Sequence, residues 1–300
     1  METARPRGDH AAAAGRIPPS VLAVAAMFSV QFGNAIAGSF FAQTSPLGAA
    51  ALRLAFAAAI LLLIARPRLG DWTGRTWIAV LLLGVGLGGM NAFIYLAFDR
   101  IPLGVAVTIE LMGPLAVAAV GIRRAVDALW VMLAVGGILL LGLGRGDGSG
   151  EALALAGVVF ALCAAACWAL YIVAAARLST QVRGIDGLVM SMVIAAVIVI
   201  PFGAGEAVAA MQRSPLLLAA FAGIALATSV VPYALEFIAL KRMSPSVFGV
   251  LSSLGPAIAA LAGWLVLQQW LSGWQLVAML LVIAASVGVL VSPKRRVGTA

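Results

Sequence analysis

Charged residues are scarce in this chain. They make up 10% of its 300 residues, whereas 63% of the residues are hydrophobic. A water-soluble domain uses about 25% charged residues to cover its surface. So few charges exclude a soluble globular fold of this length and predict that lipid surrounds most of the chain.

Cysteine and histidine are nearly absent as well. The two cysteines, Cys163 and Cys167, lie four residues apart in one apolar segment, a spacing that suits small residues at a helix contact better than a disulfide or a zinc site. The only histidine, His10, lies in a polar N-terminal tail. We therefore expect no metal, no cofactor and no histidine proton relay. With no acidic cluster either, we expect no enzyme.

The formal charge of +8 raises the question of nucleic-acid binding. The basic residues are scattered in short loops, however, and no basic stripe is interleaved with aromatic residues. We expect membrane lipids as partners and no nucleic acid.

Long apolar runs dominate what remains. A membrane-spanning helix needs about 20 mostly apolar residues. Division of the chain at charged or turn-rich junctions predicts an all-α membrane protein with ten transmembrane helices, near residues 19–40, 46–65, 76–97, 102–121, 126–143, 153–176, 185–204, 215–237, 246–267 and 273–292. The longest predicted junctions, 144–152 and 205–214, are too short for a soluble domain.

The loop arginines and lysines predict the orientation, because cytoplasmic loops carry an excess of both. With the N-terminus inside, only Arg100, Arg145 and Arg213 fall on the outer side, and the other loop Lys and Arg residues fall on the cytoplasmic side. We expect both termini in the cytoplasm and the chain in a bacterial inner membrane.

A short motif occurs twice. Arg100-Ile101 precedes Gly113-Pro114 at the same spacing at which Arg242-Met243 precedes Gly255-Pro256. Two five-helix halves of opposite orientation would place Arg100 outside and Arg242 inside, and such inverted repeats build many secondary transporters. Chance similarity between apolar segments is the alternative.

The predicted spans and the repeat together divide the chain into four segments. They are a cytoplasmic tail over 1–18, a first five-helix repeat over 19–145, a second over 151–292, and a cytoplasmic tail over 293–300.

Three ionisable residues fall well inside predicted spans: Arg53, Glu110 and Glu236. Each is costly at the bilayer centre unless it faces a partner or water. Arg53 is a candidate charge partner for the acidic residues, and snorkelling to the outer interface is its alternative. For the two glutamates a substrate-pathway role competes with a structural buried ion pair.

Polar and aromatic residues recur at helical spacing in four spans. Helix–helix hydrogen bonding would explain one such stripe. Four stripes together with two glutamates suggest a shared polar site lined with aromatic side chains. The predicted substrate-binding residues are Gln31, Asn34, Asn91, Tyr95, Glu110, Trp168, Tyr171, Ser229, Tyr233 and Glu236.

The two Gly-Pro pairs predict helix breaks. Proline removes a backbone donor, frees an upstream carbonyl and kinks the helix. Such interruptions are tolerated at membrane depth only beside protein or a watery cavity. We therefore assign a helix-breaking or gating role to Gly113, Pro114, Gly255 and Pro256.

At these positions the chain resembles the ten-helix, amino-acid-exporting branch of the EamA-type drug/metabolite transporter superfamily, and within it the threonine/homoserine exporters. The matching stretches lie in both halves: LGGMN at 87–91, RIPLGVAVTIELMGPLAVA at 100–118, RRAVDALWV at 123–131, ACWALYI at 166–172, VPYALEFIAL at 231–240 and FGVLSSLGPAIAA at 248–260. The resemblance implies a multi-pass amino-acid exporter with inverted five-helix repeats.

The chain departs from that family's pattern in two places. Relatives often carry a glutamate where Gly255 stands and a Gly-Glu pair where Gln268-Gln269 stands. The second half thus has fewer acidic groups that could take part in coupling, and the resemblance leaves both proton antiport and facilitated export open.

The expected function is export of threonine, homoserine, methionine and other neutral or aromatic amino acids by alternating access. Glu110 or Glu236 would meet the ammonium group beside aromatic faces. Asn or Gln side chains, tyrosine hydroxyls or Arg53 would meet the carboxylate. The alternative is efflux of organic cations or drugs by proton antiport.

Overall fold

A computed structural model describes residues 17–70, 72–119, 125–143, 154–182, 185–240, 242–243 and 245–291. Helices account for nearly all of the described part, and no strand occurs in it. In chain order they are α1 Pro19–Gly38, α2 Phe41–Thr44, α3 Pro46–Ala65, α4 Gly74–Phe98, α5 Leu103–Glu110, α6 Met112–Ala119, α7 Ala125–Leu143, α8 Leu155–Ser179, α9 Asp186–Arg213, α10 Leu216–Ala225, the π-helix Leu226–Val230, α11 Val231–Leu240, α12 Pro245–Ser252, α13 Gly255–Leu267 and α14 Gly273–Val291.

Eight of the described helical segments are long and apolar enough to cross a membrane. Two shorter apolar stretches, Leu103–Val117 and Leu129–Leu141, lie where the fourth and fifth spans are predicted. The prediction of an all-helical, membrane-spanning chain is confirmed. The described residues do not include 1–16 of the predicted N-terminal tail, the predicted C-terminal tail at 293–300 or the predicted junction 144–152.

One predicted loop is wrong. Residues 205–214 are predicted as a junction, but α9 continues through them to Arg213. Apart from Val208, the stretch after Gly205 up to Arg213 consists of alanine, glutamate, methionine, glutamine and arginine, which favour a helix. The nearby Gly203 serves close packing, because a Cβ there would lie 2.8 Å from the backbone nitrogen of Gly48. At about 1.5 Å per residue, α9 is longer than the roughly 30 Å hydrocarbon layer.

Helices from the two halves of the chain pack against each other. α4 lies along α8, α3 along α9, and α7 along α14. α1 contacts α11 and α13, and α5 contacts α13 and α8. A large buried cluster of alanine, leucine, isoleucine and valine joins these helices. The small side chains let the helix backbones approach closely, as is usual where lipid surrounds a bundle.

Hydrogen bonds join the two halves of the chain at each end of the bundle. At one end the backbone N–H of Arg68 donates to Oδ2 of Asp186 at 3.2 Å. At the other end the N–H of Leu103 donates to Oε1 of Gln269 at 2.9 Å. Each bond joins a loop residue of one half of the chain to the first residue of a helix in the other half, and the predicted topology places both residues on the same side of the membrane.

Candidate functional site

Arg53 is the centre of the candidate site. It lies two turns into α3, whose N-terminus is capped by the Ser45 hydroxyl. Its side chain is 7% exposed, so it does not snorkel to the surface. One guanidinium nitrogen, Nη1, donates to Oδ1 of Asn34 and to the hydroxyl of Tyr95, each at 3.4 Å, and the guanidinium carbon lies 5.6 Å from the centre of the Tyr95 ring.

The third partner of Arg53 is a backbone carbonyl. Nη2 donates to the oxygen of Thr228 at 3.5 Å, across 175 residues of sequence. Thr228 belongs to the π-helix Leu226–Val230, and the residue four positions later is Pro232. In a regular α-helix the Thr228 carbonyl would accept from residue 232, but proline has no N–H. The Thr228 carbonyl thus has no α-helical donor at position 232 and accepts from the guanidinium.

The π-helix was not predicted from the sequence. π-Bulges are rare inside α-helices and occur frequently at functional sites. The available signal was Pro232 in VPYALEF, four residues after Thr228. The helix breaks are predicted at Gly-Pro pairs, and Pro232 is preceded by Val231 instead of glycine.

Glu110 lies at a helix break, one turn before Gly113-Pro114. α5 ends at Glu110, Leu111 forms a turn, and α6 begins at Met112. The Glu110 side chain is 9% exposed and interacts electrostatically with Arg53. Within the described residues, its carboxyl group has neither a hydrogen-bond partner nor an ion pair within 4.0 Å. The predicted alternative of a close structural ion pair is therefore not formed within the described chain.

A second acidic group lies beside two tyrosines. The Glu236 carboxyl on α11 interacts electrostatically with the hydroxyls of Tyr171 on α8 and Tyr233 on α11. The Tyr233 hydroxyl also interacts with Arg53, which links this group to the first. The structure thus brings residues of α1, α3, α4, α5, α8, the π-helix and α11 into one region.

Three polar atoms in this region are buried without a hydrogen-bond partner among the described residues. They are Oε1 of Gln31, Nε of Arg53 and Oγ of Ser229. Buried polar groups are almost always paired with protein, water or ligand. The unpaired atoms include a donor, an acceptor and a hydroxyl, and such a set suits the binding of a polar ligand.

The other predicted site residues have identifiable packing roles. Asn91 is buried and donates through Nδ2 to the carbonyl of Leu87 on its own helix, at 2.8 Å. Tyr95 is fully buried and packs against Phe41 and Phe98, so its hydroxyl reaches Arg53 while its ring belongs to the core.

Each glycine of the two Gly-Pro motifs lies next to a predicted site residue. A Cβ on Gly113 would lie 3.2 Å from the Cβ of Trp168 on α8. A Cβ on Gly255 would lie 3.9 Å from Nε2 of Gln31. The second motif also follows a helix break, since α12 ends at Ser252 and α13 begins at Gly255.

Gln269 has a structural role that the sequence did not indicate. Its side-chain oxygen accepts from the N–H of Leu103 at the start of α5, and its own N–H donates to the carbonyl of Gly263 at 3.1 Å. An amide oxygen fills this helix-capping position as a carboxylate would. Gln269 therefore provides the oxygen acceptor for the N–H of Leu103 that a glutamate at this position would also provide.

The side chains do not form a metal centre in the described part of the chain. No group of three or more His, Cys, Asp or Glu residues that could hold a metal ion occurs there. The chemistry of the site consists of one guanidinium, two carboxyl groups, hydroxyls and amides.

These features define a class: a multi-pass membrane protein whose interior holds ionisable groups, as membrane transporters do. The sequence profile of the EamA-like transporter family matches residues 155–291. The threonine/homoserine exporter RhtA of Escherichia coli K12 is 40% identical over 274 residues, which cover 90% of each chain. RhtA of Salmonella typhimurium LT2 is 39% identical over 271 residues, again 90% of each chain.

The chain therefore belongs to the EamA-like transporter family, and the resemblance stated from the sequence motifs is confirmed. A protein of known crystal structure shares the fold with a TM-score of 0.56, over 94% of this chain and 98% of that one. Its sequence identity is 19%, so the likeness concerns the fold alone.

Proposed function

We propose that this protein exports threonine, homoserine and related neutral amino acids across the bacterial inner membrane, with both termini in the cytoplasm. Two proteins named as threonine/homoserine exporters align with 90% of this chain, which supports the assignment. Methionine and aromatic amino acids are further candidates, because Trp168, Tyr171 and Tyr233 lie beside the polar groups.

The observation that carries the proposal is the charge of the site. Arg53 and Glu110 are both buried, interact electrostatically, and are not within 4.0 Å of each other. A zwitterionic amino acid brings one negative and one positive group and would satisfy both. An organic cation would satisfy the glutamate and be repelled by the arginine, which disfavours the drug-efflux alternative.

The arrangement of helices supports two inverted repeats. In an inverted repeat, each span of the first half corresponds to a span of the second half. The contact between α4 and α8 then has its counterpart in the contact between α11 and α1. The contact between α3 and α9 is its own counterpart. The helix breaks before Gly113 and Gly255 also correspond. We infer alternating access, in which the two halves rock about a shared central site.

We propose that the predicted polar and aromatic residues line this site. Alanine in place of Trp168, Tyr171 or Tyr233 should change the relative export of threonine, methionine and phenylalanine while membrane insertion stays intact. Unchanged selectivity in all three variants would assign these side chains to packing.

The test of the function is counterflow in proteoliposomes that contain the purified full-length chain. Vesicles preloaded with unlabelled threonine should accumulate labelled threonine and homoserine, and a panel of amino acids and quaternary ammonium dyes should reveal the substrate class. Accumulation of dyes without amino-acid counterflow would establish the alternative.

The same vesicles test the role of Glu110. Glu110→Gln preserves shape and hydrogen-bonding capacity but removes the charge. If the carboxylate binds the substrate ammonium, counterflow should weaken without any pH gradient. If it only carries protons, counterflow should survive while gradient-driven export is lost. Wild-type behaviour in both assays would make Glu110 a structural residue.

A further inference from the structure

We propose that Arg53 is the residue that binds the α-carboxylate of the transported amino acid, with the Ser229 hydroxyl as a second donor. The assignment rests on the proposed function. The sequence alone leaves Asn, Gln and tyrosine side chains as equal candidates for this role, and the contacts of Arg53 separate it from them.

Neutral partners hold the Arg53 guanidinium in place, and among the described residues no carboxylate contacts it. Its three hydrogen-bond partners, the Asn34 amide oxygen, the Tyr95 hydroxyl and the Thr228 carbonyl, are all uncharged. No carboxylate of the described chain lies within 4.0 Å of it. Glu110 interacts with Arg53 only at longer range, so within the described part of the protein the buried guanidinium lacks an anion in contact with it, and a substrate carboxylate would supply one.

Of the five N–H groups of the Arg53 guanidinium, three donate to these partners and two remain, one on Nε and one on Nη2. Nη1 and Nη2 make the three contacts, whereas Nε is buried and has no partner among the described residues. A carboxylate commonly accepts two hydrogen bonds from a guanidinium. The neutral partners hold the guanidinium plane, and the unpaired Nε leaves a donor for a ligand.

The π-helix also carries a hydroxyl donor close to Arg53. Thr228 uses its hydroxyl within its own helix, donating to the Ile224 carbonyl at 2.7 Å. Ser229, the next residue, is fully buried, and its hydroxyl has no partner in the described chain. The segment that positions Arg53 through the Thr228 carbonyl thus also carries a free hydroxyl donor.

Asn34 and Tyr95 are positioning residues in this scheme. Oδ1 of Asn34 accepts from Arg53 and from the Tyr95 hydroxyl, the latter at 3.5 Å, which closes a triangle of hydrogen bonds. The triangle holds Arg53 in one orientation before substrate arrives. Glu110, which has no close partner in the described chain, is then left for the ammonium.

The proposal predicts which parts of a substrate are indispensable. Threoninamide keeps the ammonium and the side chain but has no carboxylate. In wild-type proteoliposomes it should inhibit labelled threonine counterflow about tenfold or more weakly than threonine does, because a charge-assisted hydrogen-bond pair is lost. Equal inhibition by the two compounds, with threonine counterflow intact, would overturn the assignment.

Variants connect this preference to Arg53. Arg53→Gln should bind threonine and threoninamide within about threefold of each other, and Arg53→Lys should recover part of the preference because it restores the charge but not the planar fork. The matched control is Arg100→Gln, since Arg100 is at an outer loop, pairs with Asp99 at 3.1 Å and should retain the wild-type preference. A full preference in Arg53→Gln would refute the proposal.

Two further measurements keep the result interpretable. Ser229→Ala removes a single hydroxyl and should raise the concentration of threonine needed for half-maximal counterflow several-fold; an unchanged value removes Ser229 from the proposal. If Arg53→Gln does not fold, the wild-type comparison of threonine with threoninamide decides. Absence of counterflow of any amino acid by the wild-type protein would instead reject the proposed function.

Discussion

The two repeated Gly-Pro motifs should respond in opposite ways to the same substitution. In Gly113→Ala the new methyl group would lie 3.1 Å from the carbonyl carbon of Ala165 and 3.2 Å from the Cβ of Trp168, and nearer still to the Ala165 carbonyl oxygen. In Gly255→Ala, among the described residues, it would meet only Nε2 of Gln31, at 3.9 Å.

The magnitudes follow from those contacts. Overpacking costs about 1–3 kcal/mol, and Gly113 belongs at the upper end because the obstructing atoms are backbone that cannot rotate away. Alanine regains roughly 1 kcal/mol of helix propensity, which leaves a net loss of about 2 kcal/mol. At Gly255 no clash opposes the gain, so we expect a neutral or slightly stabilising change of about 0.5 kcal/mol.

The assay is unfolding of the purified variants in one detergent, followed by the helical circular dichroism signal. The midpoint of Gly113→Ala should fall by several degrees, and that of Gly255→Ala should match or exceed the wild type. Equal midpoints for the two variants would refute the close contact between α6 and α8. A fall for Gly255→Ala alone would show that the room beside Gln31 does not exist.

Three more predictions concern topology, the capping of α5 by Gln269 and coupling. In a cysteine-free background, Arg145→Cys should label from the periplasm and Arg183→Cys should not; the opposite pattern would reject the orientation and the inverted repeat. Gln269→Ala should lower the unfolding midpoint, because the N–H of Leu103 loses its acceptor at a cost of about 1 kcal/mol. Gln269→Glu should keep the wild-type midpoint, because its carboxylate retains the acceptor. Equal midpoints for all three proteins would contradict the capping role. Gly255→Glu would add a carboxyl group close to Gln31 and should make threonine export from vesicles depend more strongly on a pH gradient; unchanged dependence would separate this position from coupling.

Much of the fold is predictable from the sequence because membrane insertion depends on local properties. The length and hydropathy of one segment decide whether it can span lipid, so most helix bounds agree with the predicted spans within a few residues. The helix breaks beside Gly113 and Gly255 are local as well, since each follows from a proline and the carbonyl it frees. The family follows from short motifs for the same reason.

The helix through residues 205–213 and the contact of Gln269 differ from what the sequence predicts. Residues 205–214 contain glycine and charge typical of a loop, yet they continue α9, and the nearby Gly203 is explained by the backbone of α3 that packs against it. In the sequence, Gln269 is only a departure from a family pattern. In the structure, its contact with Leu103 gives it a role in capping α5.

By itself, the sequence determined that this chain spans a membrane as helices, where those helices break at Gly-Pro motifs, and which residues carry charge inside them. Only the tertiary structure decided what Arg53 contacts. Its partners come from α1, α4 and the π-helix, at sequence separations of 19, 42 and 175 residues. No local pattern encodes such a meeting, because it depends on how the apolar faces of separate helices pack against one another.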